Sequence, residues 1–233
     1  MQLFYAHQIE GSKAFLDIEE TRHCTKTLRK NIHDVISLTD GCGGLYEGRI
    51  IEISKKSCTL EIIKTIEPRD KKNFRLHLAI APTKNINRLE WFLEKTTELG
   101  IDEISLLLCQ RSERKKIRLD RLEKIILSAA KQSIKSVFPK INDLVKFKDF
   151  VANAQASYKG IAHCNSDNLP PLKTKIQTQK EILLLIGPEG DFSLEEVEWA
   201  TQHGFDAISL GSSRLRTETA GIVACHTAHL IHA

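Results

Sequence analysis

The sequence predicts an α/β protein in two parts: a small β-rich domain over residues 1–70 and a larger domain over residues 74–233. Three observations carry this expectation. Up to Pro68 the chain reads as many short strands with little helix, the pattern of a small barrel. Beyond residue 74, apolar runs alternate with stretches at helical spacing, the pattern of a mostly parallel, doubly wound sheet. The continuous apolar run 182–186 breaks on Gly187-Pro188-Glu189-Gly190 and passes into a helix start. Such a run reads as a strand buried on both faces.

In chain order, residues 15–18 are extended and residues 20–28 suit a short helix leading into Arg29-Lys30. Residues 35–40 are strand-like and end in Gly41-Cys42-Gly43-Gly44, a turn signal. That turn lacks G-x-G-x-x-G spacing and no helix follows it, so it is not read as a phosphate loop. Residues 45–53 and 57–63 alternate apolar and polar side chains around Lys55-Lys56, a hairpin pattern. The polar stretch 67–73 joins the two domains. Strand 74–81 then leads to helix 85–99, stopped by Gly100. Strand 104–109, helix 119–137, a weaker helix 149–156 and strand 160–165 follow. After strand 182–186, Ser193-Leu194-Glu195-Glu196 has the spacing of a helix capping box. A last strand, 207–210, breaks on Gly211, and the final helix runs from about Arg216 to the end.

Composition bounds the function. Hydrophobic residues make up 41% and charged residues 27% of the 233, ordinary for a globular protein. No apolar run approaches the roughly 20 residues that span a bilayer, and the N-terminus lacks a signal-peptide pattern. The expected location is the cytoplasm, with no membrane partner. None of the six cysteines falls in Cys-x-x-Cys, so they read as reduced, mostly buried small hydrophobes. His226, His229 and His232 drift around the last helix without an i, i+4 pair, and no metal is expected. The net charge of +4 says little, but the basic residues cluster. Arg22, Lys26, Arg29 and Lys30 form one group, Arg111, Arg114, Lys115, Lys116, Arg118, Arg121 and Lys124 a second, and Arg69, Lys71, Lys72 and Arg75 a third. Clustered positive charge suits a polyanion.

In open α/β sheets, ligands sit beyond the carboxyl ends of the strands. Two glycine loops stand there, after residues 186 and 210. Glu189 would repel a pyrophosphate, which argues against dinucleotides and triphosphates and for a cationic or hydrogen-bond-donating ligand. Arg214-Leu215-Arg216-Thr217-Glu218-Thr219-Ala220 concentrates charge beside these loops. An ordinary strand–helix turn and a helix cap with solvated charges are the plain alternatives for these two stretches.

At these residues the sequence resembles the RsmE family of 16S ribosomal RNA uracil-N3 methyltransferases, of the SPOUT superfamily. The resemblance rests on Gly187-Pro188-Glu189-Gly190, Leu210-Gly211 and Leu215-Arg216-Thr217-Glu218-Thr219-Ala220. His23 with Leu28-Arg29, Glu94-Lys95 with Thr97-Glu98-Leu99-Gly100, and Gln132 before Pro139 extend it over nearly the whole chain. It implies a PUA-like barrel followed by a SPOUT domain with a deep trefoil knot, a homodimer, and S-adenosylmethionine as methyl donor. The donor would be held by Leu185, Ile186, Gly187, Glu189 and Gly190, by Leu210 and Gly211, and by Leu215, Arg216, Thr219 and Ala220. Three departures stand out: Gly190-Asp191 replaces the family's usual glycine pair, Arg214 is displaced by one position, and Lys135 stands where an arginine is common.

The implied reaction is methylation of N3 of a uridine in 16S rRNA of the small subunit. Arg216 is the expected stabiliser of charge on the uracil oxygens, and Glu218 a candidate base. Arg22, His23, Lys26, Arg29, Lys30, Arg111, Arg114, Lys115 and Lys135 would hold the RNA. The rival readings are a SPOUT methyltransferase acting on another RNA base or ribose, and a non-catalytic RNA-binding module.

Overall fold

The computed structural model describes residues 2–68, 72–166 and 168–232. The chain divides into two compact units, Met1–Lys71 with Leu127–Phe138, and Lys72–Ile126 with Pro139–Ala233. The expected join includes Arg69 and Lys71 of the third basic group, which lie outside the described residues.

The first unit holds a six-stranded sheet of order β1-β4-β5-β6-β3-β2. Its strands are β1 (Leu3–Tyr5), β2 (Gln8–Glu10), β3 (Lys13–Leu16), β4 (Val35–Thr39), β5 (Leu45–Ile53) and β6 (Cys58–Ile66). The β5–β6 hairpin is the one its alternation predicts, whereas β1 and β2, three residues each, are too short to show a period. Phe4, Leu16, Leu38, Ile50 and Leu60 fill the core. Helix 20–28 of the sequence reading is two pieces. The first is α1 (Ile18–Arg22), which begins where Asp17 accepts the Glu20 amide at 2.8 Å. A π-helical turn, His23–Thr27, follows, and Arg29 sits in the left-handed region at φ 54°.

The helix expected over 119–137 stops early, as α3 (Leu119–Gln132). Ser133 turns its hydroxyl back onto the Ala129 carbonyl at 2.7 Å, and Ile134 adopts φ 58°. The chain beyond serves the β4–β5 turn instead. The Ser136 carbonyl accepts from Thr39 Oγ1 at 3.2 Å and from the Gly43 amide at 2.9 Å, and the Phe138 amide donates to Gly41 at 2.8 Å. Lys131 on α3 pairs with the buried Glu20. These long-range bonds outweigh the helical periodicity of the segment.

The second unit is a six-stranded parallel sheet of order β12-β10-β11-β7-β8-β9. The strands are β7 (Arg75–Ile80), β8 (Glu103–Leu108), β9 (Lys140–Lys146), β10 (Tyr158–Ala162), β11 (Glu181–Ile186) and β12 (Asp206–Ile208). Between them run α2 (Ile86–Leu99), α3, α4 (Phe147–Asn153), α5 (Leu172–Lys175), α6 (Leu194–Gln202) and finally α7 (Thr217–His232). Strand β9 went unread because it is an edge strand with no fully buried residue. Helix α2 starts on Asn85 and ends on Gly100 in the left-handed conformation, φ 95°.

The run 182–186 is buried because helices cover both faces. Leu184 and Ile186 pack with Phe92, Leu93 and Ala224, while Leu183 and Leu185 pack with Phe147, Val151, Phe192 and Ala200. Each such side chain contributes roughly 1.5–3 kcal/mol of burial.

His77 on β7 makes the unit sensitive to acid. Burial pushes its pKa down to about 4, helped by Arg75 and Lys140 and opposed by Glu103. Its Nε2 lies 2.9 Å from Ser105 Oγ, which itself accepts from Asn142, so the hydroxyl proton is free to serve a neutral imidazole. The unfolded chain therefore binds a proton that the folded one refuses between the ordinary value of 6.5 and about 4. Stability is full above that window and falls as pH drops through it, by about 3 kcal/mol in total. Urea midpoints at pH 7.5 and 5 are expected to differ less in His77→Gln than in the wild type.

Candidate functional site

Three loops meet at the carboxyl edge of the parallel sheet. Strand β10 lies between β11 and β12, with Ala162 beside both Ile186 and Ile208, so the segments leaving all three strands are neighbours. The loop Gly187-Pro188-Glu189-Gly190 follows β11, and Leu210-Gly211 follows β12. The start of α7 is tied to the first of these: Thr217 Oγ1 donates to the Gly187 carbonyl at 3.0 Å, both residues buried. At Gly187 a Cβ would come within 3.1 Å of the Phe192 ring and amide, so any side chain would need Phe192 to give way by a few tenths of an ångström. Gly211, at φ 129°, has open space around it but a backbone that other residues rarely adopt.

Asp191 occupies the left-handed region at φ 61°. The resemblance noted above expects a glycine here, and this conformation is one that favours glycine. Aspartate tolerates it through local hydrogen bonds. Here its carboxylate accepts the Cys164 and Phe192 amides, each at 2.8 Å. Helix α6 then starts on a complete capping box: Ser193 Oγ accepts the Glu196 amide at 3.2 Å, and Glu196 accepts the Ser193 amide at 3.0 Å. The second oxygen of Glu196 receives the Gln110 amide at 2.8 Å.

The expected site residues fall into different situations. Gly187, Glu189, Gly190, Leu210, Gly211, Leu215, Arg216, Thr219 and Ala220 all lie in or beside the three segments. Leu185 and Ile186 are buried in the two cores and paired within the sheet, so their side chains face protein. Arg216 is exposed, and the Ala220 amide donates to its carbonyl at 2.7 Å. Glu218 is buried, its Oε1 3.8 Å from Arg88 and its Oε2 without a hydrogen-bond partner.

Glu189 does not point into free space. Its Oε1 accepts the Lys84 amide at 2.9 Å. Arg111 and Arg114, expected on RNA, both donate to backbone carbonyls: Arg111 to Gly190 at 2.7 Å, Arg114 to Thr83 at 3.0 Å and Lys84 at 2.6 Å.

Sequence reasoning passed over Thr217 and His163. His163 directly follows β10. Its Nδ1 accepts the Asn165 amide at 3.1 Å, which leaves the proton on a buried Nε2 that has no partner. Burial lowers its pKa, opposed by Asp191. The one available signal was a histidine immediately after an apolar strand.

Two sequence profiles match the chain: an RNA methyltransferase PUA domain over residues 16–63 and an RNA methyltransferase domain over residues 70–229. The ribosomal RNA small subunit methyltransferase E of Buchnera aphidicola is 30% identical over 216 residues, 90% of this chain and 85% of the relative. The chain belongs to the ribosomal RNA small subunit methyltransferase E family. A crystal structure of a probable rRNA methyltransferase from Porphyromonas gingivalis is 39% identical, with a TM-score of 0.92, and covers 100% of this chain and 98% of that one. The Neisseria gonorrhoeae ribosomal RNA small subunit methyltransferase E, solved bound to S-adenosyl methionine, is 26% identical with a TM-score of 0.85 and covers 97% and 95%.

In this family member Arg22 directly precedes the π-helical turn, Lys26 lies in it, and Arg29 and Lys30 follow it. Arg22, Lys26 and Arg29 are exposed, while His23, Lys30 and Lys135 are half-buried. His23 meets Gln2 at 2.7 Å and lies against Phe4. In the second unit Lys115 is exposed. Among the described residues, no group of three or more His, Cys, Asp or Glu is placed to hold a metal. Two of the C-terminal histidines pack on an aromatic ring, His229 and His232 lying 5.0 and 4.6 Å from Phe74.

Proposed function

We propose that this protein methylates N3 of a uridine in 16S rRNA of the small subunit, with S-adenosylmethionine as donor. The observation that carries this reading is the convergence of the Gly187, Leu210 and Thr217 segments at one sheet edge. It occurs in a chain whose fold matches a methyltransferase solved with that donor.

The residues fit the donor. Two buried polar atoms stand without partners beside these loops, His163 Nε2 as a hydrogen donor and Glu218 Oε2 as an acceptor. Buried polar groups are rarely left so in a finished site. The donor is a sulfonium with ammonium, carboxylate and hydroxyl groups and no phosphate, which matches mixed donors, acceptors and carboxylates. Gly187, Glu189, Gly190, Leu210, Gly211, Leu215, the main chain of Arg216, Thr219 and Ala220 would hold it, with Leu185 and Ile186 contributing as the strand that carries the loop. When bound, it supplies an electrophilic methyl group.

The rest of the chemistry falls to the chain. Uridine N3 must lose its proton, and Glu218 is the candidate acceptor. Arg216 balances the negative charge that develops on the uracil oxygens. The loops align donor and acceptor, and the target base must leave its stack. Arg22, His23, Lys26, Arg29, Lys30, Lys115 and Lys135 hold the RNA backbone, so affinity is expected to fall steeply with salt.

The C-terminal domain carries the deep trefoil knot, and the protein works as a cytoplasmic homodimer. In support of the dimer, α2 and α7 pack together and leave Trp91 45% and Leu230 66% exposed. Among the described residues, no helix is long and apolar enough to cross a membrane.

The test is tritium transfer from labelled donor into small subunits from cells lacking this protein, followed by nucleoside analysis. N3-methyluridine is the expected product. Label in ribose or another base would move the protein to a different RNA methyltransferase class. Absence of donor binding by calorimetry would leave an RNA-binding module.

A further inference from the structure

We propose that Arg114 is a positioning residue for the donor loop rather than a contact to RNA. The inference rests on the donor site proposed above. The loops that leave β7, β8 and β11 are neighbours because those strands are adjacent in the sheet. Arg114 comes from the loop after β8, and its guanidinium grips the loop after β7 with two donors: Nε to the Thr83 carbonyl at 3.0 Å and Nη2 to the Lys84 carbonyl at 2.6 Å.

The Thr83 carbonyl and the Lys84 amide are the two ends of one planar peptide. Arg114 holds one end. The other end donates to Glu189 Oε1 at 2.9 Å, inside the Gly187–Gly190 loop. Fixing the carbonyl therefore fixes the direction in which the amide meets Glu189. Three residues upstream, Arg111 closes the same strap by donating to the Gly190 carbonyl at 2.7 Å. Arg114 reaches the donor loop through a rigid peptide and a carboxylate. Its planar fork is what addresses two carbonyls at once, and a lysine ammonium has no equivalent plane.

The same chain of contacts explains Glu189. Its carboxylate is engaged in aligning the loop, and the donor meets a loop whose shape that bond sets. Both of these bonds hold the guanidinium against backbone carbonyls, which fixes it beside the loop after β7.

The test compares wild type, Arg114→Ala and Arg114→Lys in the full-length protein by two measurements. Donor affinity is read by calorimetry with S-adenosylmethionine. Affinity for purified small-subunit RNA is read across a salt series. A positioning role predicts that both variants bind the donor about tenfold more weakly, while the slope of RNA affinity against salt stays that of the wild type. The opposite pattern overturns it: unchanged donor affinity, with a salt slope reduced by about one unit in Arg114→Ala and restored in Arg114→Lys. The lysine variant keeps the charge and most of the stem, so the question is still decided if the alanine variant does not fold. If the wild type itself fails to bind donor, the site falls and this assignment falls with it, a result distinct from wild-type binding that the substitutions leave untouched.

Discussion

Arg216→Ala is expected to lower turnover by about 100- to 1,000-fold while the donor dissociation constant stays within a few-fold of wild type. The reasoning is positional. Arg216 stands one residue before α7, is exposed, and has no ion-pair partner among the described residues. A guanidinium placed so, beside the Gly187 loop that Thr217 reaches, is available to charge that appears only during reaction. It does not brace the loops themselves. Single-turnover rates with saturating donor, set beside calorimetry, separate the two effects. Equal losses of turnover and donor affinity would show that Arg216 holds the donor and has no special part in the chemistry.

Gly221→Val is expected to destabilise the protein by about 3 kcal/mol or more, and Gly221→Ala by about 1–2 kcal/mol. Gly221 lies in α7 where the helix crosses α2. A Cβ there would come within 2.5 and 2.8 Å of the Phe92 ring and 3.2 Å of Ile80 Cδ1. Phe92 is wholly buried, so its ring cannot swing away. The helix must shift instead. Alanine ordinarily improves a helix by roughly 0.5–1 kcal/mol over glycine, so a net loss isolates the steric cost. The shift also carries Thr217, one turn earlier, away from the Gly187 carbonyl, and donor affinity should fall with stability. Thermal midpoints check the first effect. Recovery on adding Phe92→Leu checks its cause, and an alanine variant at least as stable as the wild type would sink the argument.

Much of the second unit was legible because the signals are local. Apolar runs of strand length, the capping box at Ser193 and Glu196, and the stop at Gly100 each depend on residues a few positions apart, and each lies where expected. Edge strand β9 and the three-residue strands β1 and β2 were not legible, since partial burial or shortness leaves no period to read. The end of α3 departs from its local pattern for a different reason. Residues 133–137 suit a helix by themselves, but the β4–β5 turn offers backbone partners from some 95 positions away.

The candidate site divides along the same line. Its glycine loops and charged segment were visible as breaks in apolar runs. Their mutual roles were not. Arg111 and Arg114 looked like polyanion ligands because charge clusters in sequence, yet each donates to backbone carbonyls. Glu189 looked like a counter-charge and proved to be an acceptor for an amide 105 residues earlier. Asp191 looked like a departure and is a left-handed residue that supplies its own hydrogen bonds.

The buried strands and most helices of the second unit, the turns between them, and the residue types at the sheet edge are legible in the sequence alone. Those outcomes follow from side-chain periodicity and caps, whose energies are set by near neighbours along the chain. Long-range packing sets the rest: Thr217 meets Gly187, Arg114 reaches Glu189 through one peptide, and His163 and Glu218 are buried with polar atoms unmet. Those outcomes depend on which strands lie side by side, and that is set by how two apolar faces of one sheet are covered, not by any short stretch of residues.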